Sequence, residues 1–287
     1  MMSPHSLDGF LGEWAVKEYI YSPQSELLGI IHQQRRLNRG DSADELRVDL
    51  FCEPSLELAD HPMGAFAGEF SFRLIKQGIQ RLYLGPDVQG FAYSLGEIFL
   101  CGEGIWPRFG YNFRSWSIRL SETYQLIGGV FFRGFNVIGV IFGVATLANS
   151  QQHGSALCLA SEMRGGQGHA ETLQLGTKTV STEPWARQHR GAGLWVESRN
   201  GREESLSLTA CKSGFVMNRI KHDDDRREEV GMAVAYGPCL FWETHGKFAN
   251  STQGIEINDP LGTQMFSIRR NFLSGQMQSL EVLQLSE

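Results

Sequence analysis

What this sequence lacks narrows it first. It has no CxxC pair, and its five cysteines (Cys52, Cys101, Cys158, Cys211 and Cys239) are odd in number and widely spaced. That pattern fits free thiols in a reducing compartment, not a disulfide scaffold or a zinc site. There is no basic stripe with interleaved aromatics. The net charge is −6 and the pI about 5.8, which argues against a nucleic-acid partner. The longest apolar run, around Val137–Leu147, is too short to span a bilayer and is broken by Gly139 and Gly143. The start, MMSPHSLDG, has neither the basic opening nor the apolar core of a secretory leader, so a cytoplasmic location is expected. Also absent are Gly-x-Ser-x-Gly, a phosphate-binding loop, a dinucleotide fingerprint and HExxH. Hydride transfer, phosphoryl transfer and metal-assisted hydrolysis are therefore poor readings. Neither a cofactor nor a metal is expected.

What is present is repetition with a period of two. The chain has 287 residues, 41% hydrophobic and 20% charged, an ordinary globular composition with room for two domains. Its 33 glycines against nine prolines suit many strands and tight turns. Glu45–Cys52 alternates strictly, with Leu46, Val48, Leu50 and Cys52 facing one way. Phe66–Ile75 alternates likewise, and Ile79–Leu84, Val88–Leu95 and Glu97–Cys101 follow as short strands. An aromatic connection, GEGIWPRFGYN, then leads into Phe113–Leu120, and Tyr124–Phe131 and Val137–Leu147 form a hairpin around Arg133-Gly134. After Asn149–Gly154 the pattern restarts with Ala156–Met163, Glu171–Val180 and Ala192–Arg199. An Asn200-Gly201 hairpin turn precedes Glu203–Cys211. Further strands run to Gln278–Leu285. Short alternating strands with almost no helical period mark an all-β chain of barrels or sandwiches.

The opening stretch LDGFLGEWAVKEYIYSPQSELL carries a resemblance. Gly12-x-Trp14 ahead of a first strand is similar to the start of lipocalin-like (calycin) barrels. The whole stretch resembles the start of a cyanobacterial family of unknown function built from two such barrels in tandem. TYQLIGGVFFRGFNVIGVIFGVATL looks like that family's first closing hairpin, and TQMFSIRRNFLSGQMQSLEVLQLSE like its second. Gly193-Leu194-Trp195 is only a loose echo of the opening motif. The resemblance implies two consecutive antiparallel lipocalin-like β-barrels, residues 1–149 and 155–287, with Trp14 at the base of the first.

Several groups of residues are able to carry chemistry. Trp106, Arg108 and Tyr111, followed by Arg114 and Trp116, put arginine beside indole and phenol rings, a setting for a planar or anionic ligand. The same aromatics also serve simply to close a barrel end. Alternation places Arg114 and Trp116 on one face of their strand and Arg119 on the other, so either arginine is a candidate inward cation. Tyr83, Tyr93, Glu97 and His32 are the acid–base candidates, because a carboxylic acid in an apolar pocket donates a proton near neutrality. In the second half, Glu243 and His245 share a face, read as the outer one, with Leu240 and Trp242 inward. The run His222–Glu229 reads as a loop of compensating charges, lacking the spaced ligands and glycine of a calcium loop.

The function expected is a cofactor-independent cyclase, isomerase or lyase acting on a hydrophobic or aromatic small molecule in the first barrel. The alternative is a non-catalytic carrier of a fatty acid, pigment or similar ligand. Cyanobacterial calycin-like proteins include bilin lyases, so pigment or secondary metabolism is the setting implied by analogy. No nucleic acid and no membrane span are expected, and a homodimer is left open.

Overall fold

The strands close into two barrels because alternate residues along each one can be buried together. The computed structural model describes residues 8–95, 98–148, 150, 163–212, 214–222, 227–259 and 264–286. The chain divides into two compact units, Met1–Gly154 and Ser155–Glu287. Each holds one closed antiparallel barrel whose strands follow in chain order around the ring.

The first barrel comprises β1 (Gly12–Tyr21), β2 (Leu27–Arg39), β3 (Glu45–Pro54), β4 (Gly68–Gln77), β5 (Gln80–Leu84), β6 (Gln89–Leu95), β7 (Phe99–Trp106), β8 (Tyr111–Arg119), β9 (Tyr124–Arg133) and β10 (Asn136–Leu147). It closes where β10 pairs with β1, Trp14 opposite Leu147. The inner positions carry its core, including Val16, Ile31, Val48, Leu74 and Ile127.

Trp14 fills one end. It is 2% exposed, and its indole Nε1 donates to the Phe10 carbonyl at 3.0 Å. The short 3₁₀ turn Asp8–Phe10 brings that carbonyl over the barrel mouth. Gly12 is required beside it. Its φ of 120° disfavours any side chain, and a Cβ there would stand 2.9 Å from Leu147 Cδ1.

The opposite end is closed by a second 3₁₀ turn, Pro62–Phe66, capped by His61 Nδ1, which accepts from the Met63 amide at 3.2 Å. Phe66 therefore does not begin a strand, as alternation from Phe66 to Ile75 suggested. It packs instead against Trp106, Phe109, Tyr111 and Phe131 at centroid distances of 5.0, 4.7, 6.0 and 5.2 Å. The aromatic connection is also shorter than its glycines implied. Residues up to Trp106 continue β7, because the bare Gly102 is what admits the Tyr83 ring. A Cβ there would lie 2.4 Å from the phenol oxygen.

The second barrel comprises β11 (Gly166–Gln174), β12 (Thr179–His189), β13 (Leu194–Arg199), β14 (Arg202–Cys211), β15 (Gly214–Lys221), β16 (Arg227–Tyr236), β17 (Cys239–Gly246), β18 (Asn250–Asn258), β19 (Gln264–Leu273) and β20 (Gln276–Ser286). It closes through β20 against β11. Asn200 and Gly201 take φ of 48° and 77°, as a two-residue hairpin turn demands. The expected strand Glu171–Val180 is instead two strands split by a turn in which Lys178 has φ 57°. The second of them contains Pro184. The proline is tolerated because pairing between β12 and β13 covers Trp185 to His189 only, leaving Pro184 a neighbour on one side. The expected strand Ala156–Met163 falls almost wholly outside the described residues. Among the described residues no helix is long and apolar enough to cross a membrane.

The packing predicts which change damages the first barrel most. Trp14→Ala removes a buried indole and should lower its stability by about 3–5 kcal/mol. Trp14→Phe, which loses mainly the bond to Phe10, should cost much less. Denaturant unfolding followed by segment-resolved hydrogen exchange measures both. Equal, small losses would mean that the indole does not close the end.

Candidate functional site

The first barrel encloses a cavity of about 160 Å³. Most of its wall is aliphatic or aromatic, with Ile31, Leu37, Val48, Leu74, Phe113 and Ile141 among the lining residues. Polar side chains interrupt it at positions where alternation along the strand demands an inward residue. Glu18 stands between Val16 and Ile20 on β1, and Gln33 and Arg35 between Ile31 and Leu37 on β2. Register carries the set across the sheet, since Glu18 faces Ile31, Gln33 faces Cys52 and Arg35 faces Leu50.

These side chains touch in sequence. Arg35 Nε donates to Gln33 Oε1 at 2.9 Å, and Gln33 Nε2 donates to Cys52 Sγ at 3.4 Å. Arg35 Nη2 lies 3.9 Å from Glu18 Oε1, an ion pair too long for a hydrogen bond. Their side chains are 20% and 12% exposed and both line the cavity. Desolvation decides the electrostatics here. Burial pushes the Glu18 carboxyl above its ordinary value, and Arg35 only partly offsets it. Burial likewise pulls Arg35 down, against the opposing pull of Glu18, Cys52 and Tyr83. The Cys52 thiol is pushed up to about 12 by burial, with Glu18 adding to the shift. Tyr83 lines the same cavity, hydrogen-bonds Ser115 and is raised mainly by burial, so it stays a neutral phenol.

The residues singled out from the sequence fall in several places. Of the acid–base candidates, Tyr83 lines the cavity. Tyr93 follows the inward Ala92, so alternation puts it on the outer face, where it accepts from Gln80 Nε2 at 2.7 Å. His32 is exposed, and Glu97 lies outside the described residues. Of the ligand-binding candidates, Trp106 and Trp116 border the cavity. Tyr111 belongs to the aromatic closure, where Arg133 Nη2 donates to its hydroxyl at 2.8 Å. Arg108 is exposed above the Phe109 and Phe70 rings, at 5.6 and 6.0 Å from their centroids. Arg114 is exposed, 3.9 Å from Glu103. Arg119 donates to the Gly9 carbonyl at 3.5 Å, at the Trp14 end. Arg35 is thus the arginine inside this cavity. Sequence reading passed over Glu18, Gln33 and Arg35, although a visible signal marked them: each is polar at the parity of its apolar neighbours.

The second barrel's interior is ionic. Glu197 accepts two bonds from Arg269 Nη2, both at 2.7 Å, and one from Arg187 Nε at 2.7 Å. Arg187 Nη1 reaches Glu256 at 2.9 Å, which also accepts from Ser267 and Trp242. Arg219 donates to Glu204, and to Glu229 and Thr252 at 3.2 and 2.7 Å. Here pairing overcomes desolvation. Burial works to raise Glu197, Glu204 and Glu229, but the facing arginines hold all three below their ordinary value. Glu243 and His245 lie on the exposed face, 3.6 Å apart. Of the run His222–Glu229, residues 223–226 lie outside the described part. Among the described residues no cluster of His, Cys, Asp or Glu suits a metal ion.

No family model matches this chain, and no curated protein does. Among solved structures it is similar to a protein of unknown function from the DUF3598 family of Nostoc punctiforme, with TM-score 0.63 and 13% identity over 100% of both chains. That likeness shows a shared fold of two consecutive barrels. It also meets the expectation raised by the opening motif and the closing hairpins, since the neighbour is a cyanobacterial protein without a known function.

The electrostatics give opposite pH trends. Carboxyls held low in the fold add stability that is complete above their unfolded value of about 4.3 and drains as pH falls towards their folded values. The second barrel should therefore lose protection steeply below about pH 4. Glu18, raised in the fold, works the other way. The stability tied to its protonated form is present below its unfolded value and is lost as pH rises through the folded one. Segment-resolved hydrogen exchange between about pH 6 and pH 3 measures the first trend. Unchanged protection of β13, β14 and β19 over that range would contradict it.

Proposed function

We propose that the first barrel binds a small, largely apolar molecule carrying one oxygen function, seated with that oxygen towards Arg35 and Glu18. The observation that carries this is the pair itself. It sits in an otherwise apolar cavity, 3.9 Å apart, with desolvation outweighing mutual attraction for both partners. Such a pair contributes little to stability. It offers instead a guanidinium face for a carbonyl, hydroxyl or carboxylate oxygen, beside a carboxyl whose hold on a proton is strengthened by burial. Cavity size sets the scale. An apolar void of about 150 Å³ takes one benzene ring, so about 160 Å³ suits a single-ring molecule or a short chain. A linear tetrapyrrole is several times larger, which argues against bilins as occupants of this cavity.

A second reading, proton-transfer catalysis of the isomerase, lyase or cyclase class, is favoured by the raised Glu18. Burial that strengthens a carboxyl's hold on its proton moves it towards the behaviour of a general acid, and the Tyr83 phenol is a second donor on the same wall. Arg35 would then steady negative charge developing on the substrate oxygen.

Ligand-observed NMR with toluene, phenol, benzaldehyde and benzoate tests the binding reading. The oxygenated compounds should bind in preference to toluene, and Arg35→Met should weaken them by about 10- to 100-fold, the scale of a hydrogen bond to a charged group. Equal affinity for toluene, or an Arg35→Met protein that binds unchanged, would refute it. Catalysis makes a further demand: for a compound that turns over, Glu18→Gln should cost about 10²-fold or more in rate while affinity is kept.

A further inference from the structure

The second barrel has a cavity of its own, lined mainly by charged and polar side chains where the first is mainly apolar. It measures about 340 Å³ and is lined from the ends of β11 and β15, the first half of β12, the turn from β13 to β14, and the middles of β19 and β20. We propose that it is a second ligand site, for a neutral, hydroxyl-rich molecule of mono- to disaccharide size. The proposal does not rest on the function assigned to the first barrel.

Charge balance is the first argument. The basic residues on the wall are Arg199, Arg202, Arg219, Lys221 and Arg269, and the acidic ones are Glu183, Glu197, Glu203, Glu204 and Glu281, five of each. An anion would meet five carboxylates and a cation five positive groups, each desolvated with its own sign nearby. A neutral hydroxyl avoids this, because it donates to a carboxylate and accepts from a guanidinium or ammonium at once.

The second argument is where polar capacity remains. Deep in the barrel, Arg269 is closed upon Glu197, and Arg219 upon Glu204, Glu229 and Thr252. Nearer the cavity, Glu183 bonds Arg199 at 2.7 Å through one carboxylate oxygen and stays 33% exposed, and Lys221 is 30% exposed. The Lys221 ammonium stands 3.9 Å from Glu229 Oε1, beyond hydrogen-bond range. Burial, with Arg219 beside it, lowers its affinity for a proton, so an oxygen accepting from Lys221 would relieve a cost already present. The third argument is an apolar strip. Trp185 and Leu283 share the wall with these charges, and a pyranose presents such a mixture of C–H face and hydroxyl rim.

Calorimetry and saturation-transfer NMR on the full chain, with glucose, galactose, maltose and sucrose, test the proposal against glucose 6-phosphate and glycine. At least one neutral sugar should bind, with the phosphate and the zwitterion weaker. Lys221→Met and Glu183→Gln, both at partly exposed positions, should each weaken it about tenfold, about 1.4 kcal/mol, with unchanged thermal unfolding. Arg202→Ala at the rim gives a further variant should either fail to fold. Absence of binding by every neutral sugar up to about 10 mM, tenfold above a Kd of ~1 mM, would overturn the proposal. So would preference for the phosphate or glycine, or sugar binding that all three variants leave intact.

Discussion

An antiparallel sheet closed on itself sends every second residue of every strand into one shared interior, and the rest of this molecule depends on how that interior is filled. No inward position can be hidden at an edge, because closure leaves none. An inward charge must therefore be compensated inside the barrel or remain as an electrostatic cost. The two units answer differently. In the second, Arg187, Arg219 and Arg269 face carboxylates at hydrogen-bond distance, and attraction exceeds desolvation. In the first, Glu18 and Arg35 stand apart among aliphatic and aromatic walls, and desolvation exceeds attraction.

That contrast separates a structural use of buried charge from a functional one. Deep in the second barrel, closely paired arginines and glutamates hold register and replace an apolar core, since each partner fixes the rotamers of the next. A lone, long pair does neither well. Its retention inside an apolar cavity is understandable if a ligand completes it, because the binding partner then supplies the hydrogen bonds that the fold withholds. The aromatic closure built on Phe66 and Trp106 serves this arrangement by excluding water from one end. It is packing in its own right, with Arg133 donating to the Tyr111 hydroxyl and Arg108 lying over the Phe109 and Phe70 rings.

The fold was largely legible in the sequence, and the site much less so. Alternation in Glu45–Cys52, the Asn200-Gly201 turn and the hairpins ending each unit express period-two geometry directly, and each became strand or turn as written. Errors arose where a local residue had a tertiary purpose. Gly102 looked like loop but makes room for Tyr83. The strand Thr179–His189 was passed over; its Pro184 lies beyond the pairing of β12 with β13. Aromatic density drew attention to Trp106 and Tyr111, whose clustering reflects closure of an end. Glu18 and Arg35 were hidden because a single polar residue inside an apolar alternation resembles noise until the sheet closes around it. The ionic interior of the second barrel was hidden for a related reason: alternation shows that two faces differ, but does not show which one turns inward when both carry charge.

The central claim is that Glu18 and Arg35 serve a ligand and not the fold. The most direct test is the equilibrium stability of Glu18→Leu/Arg35→Leu in one protein, measured in denaturant without ligand. Replacement of both members of an under-compensated buried pair by apolar residues should leave the first barrel as stable as before or raise it by about 1–4 kcal/mol. A loss of several kcal/mol in the double variant, comparable to removing either residue alone, would contradict the account and make the pair a structural element of the barrel.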